Sequence, residues 1–413
     1  MILGIAEQIF AVLGLLFFAG AFSDILPNAT ISLLRYLIWF GAIALLILRW
    51  HSTLWVASQT KLLWVLCTII LFSFLWADVP LDVLRDSREV MQMTAFGLYF
   101  GMRFILRDQV KLLAIAFGIG ALMSLTAVVV DPTIGIHGSD HPGAWKGVYG
   151  YKNILGSMMI LGAVSFALLP KYIMPVICQW IGFGLCVVLI LLSTSKTSLI
   201  LSILLAAIIV FYRFYRWRGK ITIVFWDLFI LVAVSVSSII FTNWTEIITG
   251  LGRDPTLTGR TPMWTVALIR LMERPWLGFG RGMFWRPVHA YAREAGSAVA
   301  HGFIPPHGHN GFIDMALDIG LVGLGIFLVC YGFAYIRSLK LAYGTDRLYN
   351  LYPLAFLIFL FVNNITESFI LYKSNIYWTL FISFAVKLAV IEQETKLDNI
   401  SQVSELGKLE IGG

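Results

Sequence analysis

Seven arginines and four histidines lie between Thr242 and Gly311, and that stretch contains no lysine. The arginines are Arg253, Arg260, Arg270, Arg274, Arg281, Arg286 and Arg293, and the histidines are His289, His301, His307 and His309. Arginine is always charged and presents a rigid fork that pairs bidentately with phosphate or carboxylate, whereas lysine is a point charge. Such a segment suits the binding of an anion such as a diphosphate, although surface arginines on a soluble loop would also look like this. His307-Gly-His309 closes the stretch. That spacing is not the i,i+4 pair of a helical zinc site and no cysteine is near, so a metal is not expected. A neutral imidazole near its ordinary pKa suits a general base. Thr261 is a good N-cap, Pro262 fits a first helical position, and Pro275 stops a helix, which predicts a helix from Thr261 to Arg274. Its apolar face would be Trp264, Ala267, Leu268 and Leu271, with Arg270, Glu273 and Arg274 off that face. Arg260 then stands beside a helix N-terminus, where free N–H groups and the dipole favour an anion.

The elements that must position these residues are membrane-spanning helices. The 413-residue chain is 59% hydrophobic and 13% charged, against about 25% charged in soluble domains. The expected fold is an all-α polytopic membrane protein. Twelve apolar stretches approach the length of a span, near 3–22, 30–48, 61–77, 89–105, 110–130, 153–169, 172–193, 197–212, 221–241, 311–336, 349–366 and 370–391. This divides the chain into spans one to nine (1–241), a large, partly helical loop (242–310), spans ten to twelve (311–391) and a loose polar tail (392–413). With the N-terminus cytoplasmic, Lys and Arg concentrate in the inside loops; both termini then lie inside and the long loop outside. Long loops are exempt from that rule, so the seven arginines do not contradict it. The first span has no basic flank or small-residue cleavage motif and is expected to remain as an anchor. The net charge of +7 follows from basic cytoplasmic loops and calls for no nucleic acid. Cys67, Cys178, Cys186 and Cys330 all fall in expected spans, so no disulfide is expected.

Three shorter outer elements add candidates. Trp76–Arg88 is a charged juxtamembrane stretch whose Leu81, Leu84, Arg85 and Arg88 would lie along an interfacial helix; a snorkelling anchor reads the same way. Gly143–Asn153 brings Lys146, Lys152 and Asn153 to a membrane entry, among aromatics that a membrane belt alone would explain. Ser193-Thr-Ser-Lys-Thr197 puts Lys196 at a tight turn between two spans, as a ligand-binding or a snorkelling cation.

At Leu257-Thr-Gly-Arg-Thr-Pro-Met-Trp264, Glu273-Arg-Pro-Trp-Leu-Gly-Phe-Gly280, His309-Asn-Gly-Phe312, Tyr149-Gly-Tyr-Lys-Asn153 and Ser193-Thr-Ser-Lys-Thr197, the chain resembles the O-antigen ligase and polymerase family of bacterial envelope glycan enzymes. The resemblance runs in order from about Trp76 to about Gly323. It implies a glycosyltransferase of the GT-C type, with about 12 spans and a large periplasmic loop between helices 9 and 10, in the bacterial inner membrane. The implied donor is a glycan on undecaprenyl diphosphate. The acceptor is another lipid-linked repeat unit in a polymerase, or lipid A core in a ligase; a chain-length regulator is a further partner. Arg260 would hold the donor diphosphate and His309 would activate the acceptor hydroxyl. Many ligases carry arginine where Lys196 stands, and Asp254–Thr261 looks more like exopolysaccharide polymerases of the family.

No Asp-x-Asp metal motif occurs in the outer loops, so the expected transferase uses no cofactor. Arginines would stabilise the leaving diphosphate and His309 would take the acceptor proton, in one inverting displacement. Arg270, Arg274, Arg281 and Arg286 are further candidates for phosphate or sugar contacts, with Arg88, Lys146, Lys152 and Asn153 beside them. Glu273 and Asp314 remain open as carboxylate nucleophiles. A transporter of lipid-linked sugars would need polar groups through the bilayer, and mid-span charges are few: Arg35, Asp227 and Lys387. An anion-binding receptor and a peptidoglycan-type polymerase stay open on sequence.

Overall fold

The computed structural model describes residues 2–138, 141–214, 260–372 and 375–411. Arg253 and the expected span at 221–241 lie outside them. Among the described residues every regular element is a helix, and strand-like pairing is confined to one bridge, Ile136 with Trp145. In chain order these are α1 (Ile2–Phe18), α2 (Asn28–Ile47), α3 (Trp50–Gln59), α4 (Lys61–Phe72), α5 (Pro80–Arg103), α6 (Leu106–Val130), α7 (Pro132–Gly135), α8 (Lys152–Leu168), α9 (Val176–Leu192) and α10 (Lys196–Phe214). After the undescribed residues come α11 (Arg260–Leu271), α12 (Ala290–Ser297), α13 (Gly311–Gly344), α14 (Tyr352–Thr366) and α15 (Ile376–Ile411).

Among the described residues five helices are long and apolar enough to cross a membrane: α2, α6, α13, Leu348–Thr366 and Ile376–Asp398. The pair α3 and Lys61–Trp76, bent by 95°, would make a sixth if it is one broken span. Shorter apolar helices fill the expected positions near 3–22, 153–169, 172–193 and 197–212. Helix α3 falls between two expected spans. The polar stretch after Glu392, expected to be a loose tail, continues α15 as helix to Ile411.

The centre of the bundle is α5 against α15. Gly97 and Gly101 permit this approach: a Cβ on either would come within 2.6–2.7 Å of the Thr379 and Ser383 carbonyls. Helices pack this closely in an apolar medium where small residues line the contact. Trp378, fully buried, donates through Nε1 to Thr94 Oγ1 at 2.8 Å. Large apolar side chains on α2, including Leu33, Leu37 and Phe40, instead face outward, as lipid-facing positions do.

The loop between α10 and α13 has its own apolar core. Met263, Ala267 and Leu271 of α11 pack with Phe279, Met283, Phe284 and Trp285, and this cluster includes Val83 of α5 and Ala316 and Leu317 of α13. The apolar face of α11 is therefore Met263–Ala267–Leu271; Leu268, expected on it, is exposed. Thr261 lies within the helix rather than capping it, and the helix stops at Leu271. Ala267 and Leu271 of the expected face are buried and Trp264 packs against the same cluster, while Met263 takes the place expected for Leu268.

Helix α13 is broken at Gly320, where φ is +73° and ψ −179°. A break frees backbone donors and acceptors that lipid cannot satisfy. The loop satisfies them. Phe279 N donates to Leu317 O at 2.7 Å and Gly280 N to Asp318 O at 2.9 Å. In return Leu321 N donates to Pro275 O at 2.7 Å and Val322 N to Trp276 O at 3.3 Å. Asn310 caps α13, its Oδ1 accepting from Phe312 N and Ile313 N.

A Cβ at Gly320 would lie 2.0 Å from the Trp276 carbonyl oxygen, and the backbone there is in a region only glycine occupies readily. Gly320→Ala should cost on the order of 2–4 kcal/mol, read as a lowered melting temperature and reduced yield of monodisperse protein in detergent.

Candidate active site

Four separate elements meet at the loop end of the bundle around one carboxylate. Glu367 follows the last residue of α14, is 7% exposed and interrupts a run of buried polar residues, Asn363, Asn364 and Ser368. Asn153, in the first turn of α8, donates through Nδ2 to Glu367 Oε1 at 2.9 Å. Ser195, just before α10, donates through Oγ to Asn153 Oδ1 at 2.9 Å. On the other side, His309 Nδ1 stands 3.6 Å from Glu367 Oε2, an ion-pair distance rather than a hydrogen bond, and this buried nitrogen has no other partner. The result is a line of side chains, Ser195–Asn153–Glu367–His309, with each member from a different part of the chain.

The backbone is shaped to hold it. Among the described residues, the non-glycine residues with positive φ are His309 (+51°) and Thr194 (+50°), one at each end of this line. Such conformations cost of order 1–3 kcal/mol each and persist where surroundings enforce them. His309 is enforced from both sides. Gly308 N donates to Asp314 Oδ1 and Oδ2 at 3.1 Å, and Asn310 N donates to Ser368 Oγ at 3.0 Å. Trp264 of α11 donates through Nε1 to Gly308 O, and Trp285 donates to Asp314 Oδ1 at 2.7 Å. Asp314 is fully engaged in holding the turn, and Glu273 accepts from Arg270 Nη1.

His307 has a different role from His309. Its Nδ1 accepts from His309 N at 3.2 Å, so the neutral ring carries its proton on Nε2. Burial, then the charges of His309 and Arg260, push its pKa from 6.5 down to about 4, against the opposing pull of Glu367. Burial by itself would raise the Glu367 pKa, but His309, Arg260 and His307 outweigh it and hold the carboxylate below its ordinary value.

The cations divide into two groups. Arg270 pairs with Glu273 and Glu294, Arg274 with Asp78 at 2.8 Å, and Arg281 with Asp318 at 2.9 Å. Arg286 pairs with Asp82 at 2.9 Å and Asp86 at 2.7 Å. These four arginines tie the loop to itself, to the Trp76–Asp86 region and to α13. Among the described residues the others have no carboxylate ion pair: Arg260, Lys152, Lys196, Lys146 and Arg88. Arg260 donates through Nη1 to Thr366 O at 2.6 Å, next to Glu367. Lys152 precedes Asn153, its backbone N donating to His137 Nε2 at 3.1 Å, and exposed Lys196 follows Ser195. Arg260 is thus held beside Glu367, and its charge acts on that carboxylate; Lys152 and Lys196 are the chain neighbours of Asn153 and Ser195. Arg88 is elsewhere on α5, over the Tyr36 ring. No three His, Cys, Asp or Glu side chains converge as a metal site among the described residues.

Glu367 is the residue that the sequence reading missed. The signal was the polar run Asn363-Asn-Ile-Thr-Glu-Ser368 closing an apolar span, since an ionisable group at that depth needs a partner and a reason.

A buried carboxylate thus faces an imidazole, with Arg260 beside the pair. The several apolar helices make this a membrane protein. The family model described as O-antigen ligase matches residues 181–328, which include Lys196, Arg260 and His309. The chain is also 24% identical over 313 residues to the exopolysaccharide production protein ExoQ of Rhizobium meliloti (strain 1021), covering 72% of this chain and 68% of that protein. Together these matches support membership of the O-antigen ligase and ExoQ-like family.

Two outcomes check this division. Arg260→Gln should lower activity strongly with little change in melting temperature. Arg281→Ala should lower the melting temperature, because it leaves Asp318 buried and uncompensated at a cost of about 3–5 kcal/mol. Stability should also fall as pH drops from 6.5 towards 4. The unfolded His307 takes a proton in that window that the folded one refuses, and the lowered Glu367 pKa acts in the same direction. Thermal melts of His307→Gln across that range should show a smaller drop than wild type.

Proposed function

We propose that this chain is a metal-independent, inverting glycosyltransferase of the GT-C type. It moves a glycan from undecaprenyl diphosphate to an acceptor sugar at the periplasmic face of the bacterial inner membrane. The observation that carries this reading is Arg260 beside the His309–Glu367 pair, with Lys152 and Lys196 next in the chain to Asn153 and Ser195 of the same hydrogen-bonded line. Membership of the family supports it, and the distribution of Lys and Arg favours about 12 spans with both termini cytoplasmic.

In the reaction, the acceptor hydroxyl oxygen attacks the anomeric carbon as its proton passes to His309 Nε2. The bond between that carbon and the diphosphate oxygen breaks, and the electron pair leaves on the diphosphate. Arg260, with Lys152 and Lys196, neutralises that charge, and a site that excludes water makes this stabilisation large. Glu367 stabilises the imidazolium, and Asn153 fixes the carboxylate that does so. The proton then leaves His309 for solvent. Neither Asp314 nor Glu273 is needed as a nucleophile, because each is engaged elsewhere.

The acceptor is best read as a second lipid-linked repeat unit, so that the enzyme polymerises an exopolysaccharide or O-antigen. The ExoQ match and the lysine at position 196 favour this over ligation. The second reading, transfer of finished polymer to lipid A core, takes its support from the ligase family match. A sugar transporter is less well supported, because charges within the expected spans are few.

The test is the glycan profile of cells whose only copy is His309→Ala. Loss of the general base should slow transfer by roughly 10²–10⁴-fold, and single repeat units should accumulate on the lipid carrier. Accumulation of full-length polymer on the carrier would establish ligation instead. An unchanged profile at normal protein level would remove His309 as the base. Glu367→Gln should reduce transfer by about 100-fold at normal protein level.

A further inference from the structure

A second unmatched cation lies away from the His309 centre. Arg88 is in α5 where the charged first turns, Asp82 to Glu89, give way to the apolar run from Val90. In a helix that enters a bilayer, that boundary lies at the depth of lipid phosphates. Around it, among the described residues, the carboxylates paired with Arg35, Arg85 and Arg286 are Asp82, Asp86 and Glu89. Arg35 takes Glu89 at 3.0 Å, Arg286 takes both aspartates, and Arg85 leans on Asp82 at 3.6 Å. Arg88 is left over. Its Nε is buried without a hydrogen-bond partner, and its guanidinium stands 5.7 Å from the centre of the Tyr36 ring.

Two neighbours define what would fit. Gln92, one turn on, is fully buried and neither atom of its amide has a hydrogen-bond partner. A helical side chain lies over the preceding turn, which directs this amide towards Arg88. On α2, Leu33, Leu37 and Phe40 flank Tyr36 and are exposed at 59–61%, giving an apolar strip that leads away from the guanidinium. A phosphate held by a stacked arginine, with a long hydrocarbon chain along that strip, matches both features.

A transferase that polymerises lipid-linked units handles two prenyl diphosphates at once, one leaving and one remaining on the acceptor. The Arg260 centre serves the leaving one. We propose that Arg88, backed by Tyr36 and Gln92, holds the diphosphate of the acceptor lipid, with its chain lying along α2. The proposal rests on the polymerase reading, because a ligase acceptor carries no prenyl diphosphate.

The experiment counts bound undecaprenyl diphosphate by native mass spectrometry of the purified full-length protein in phosphatidylcholine nanodiscs. Wild type should bind two equivalents, and Arg88→Gln and Arg260→Gln one each. Tyr36→Ala, on a different helix, should weaken the Arg88-dependent equivalent, so that a folding defect confined to Arg88→Gln does not decide the matter. In transfer assays Arg88→Gln should raise KM about tenfold for the lipid-diphosphate acceptor and leave KM unchanged for the same glycan without lipid or phosphate. Two equivalents retained in Arg88→Gln, or equal loss with both acceptors, would overturn the proposal. So would displacement of the Arg88-dependent equivalent by an equal concentration of phosphatidylglycerol, which would mark a general anionic-lipid contact. The polymerase reading fails separately, if wild type given lipid-linked repeat units makes no longer chains.

Discussion

The break in α13 is the constraint on which the rest depends. A spanning helix interrupted at Gly320 exposes peptide groups that neither lipid nor its own next turn can satisfy. The segment Pro275–Gly280 supplies them, donor for acceptor and acceptor for donor. That exchange is why the loop is a docked domain with its own apolar core. It also sets the height of α11 above the bundle, and through Trp264 and Gly308 it sets the turn that carries His309. The chemistry at the loop end is positioned by a repair to a helix some distance away.

Charge is sorted by the same docking. Arg274, Arg281 and Arg286 meet the carboxylates of Asp78, Asp318, Asp82 and Asp86, and Arg270 meets two glutamates of the loop itself. These pairs hold the loop in register and leave little positive charge in it. Among the described residues Arg260 has no carboxylate ion pair, and its charge acts on Glu367. A buried carboxylate facing an imidazole and an arginine is a poor stability device. The cost of the positive φ at His309 and Thr194 falls at the same place, which is where strain is usually retained for function.

Much of this was legible from residues alone. Apolar stretches predicted helices wherever the chain is described, because span length follows from bilayer thickness. Arg260 and His309 stood out as candidates by residue type and by position in a polar segment between apolar ones. What could not be read was pairing at long range. Nothing local says that Arg281 lies against Asp318, or that Arg286 meets Asp82, so an arginine-only loop looked uniformly like a phosphate receptor. On α11, Ala267 and Leu271 are buried as their spacing suggests, but Phe279 and Phe284, in a separate turn, pack with Met263 rather than Leu268. Glu367 and Asn153 lie 214 residues apart, and only the packing of α8 beside α14 joins them.

The Gly320 exchange also bears on how the chain is assembled. Chain order puts Pro275–Gly282 ahead of α13, so the loop that completes the helix is synthesised first. A helix with open valences would otherwise enter lipid unsupported. Here its partners precede it in the chain. Docking of the loop and completion of α13 are therefore one event, and a delay in the first leaves the second with unsatisfied peptide groups. The residues that shape the site would then be the same ones that gate the maturation of the protein.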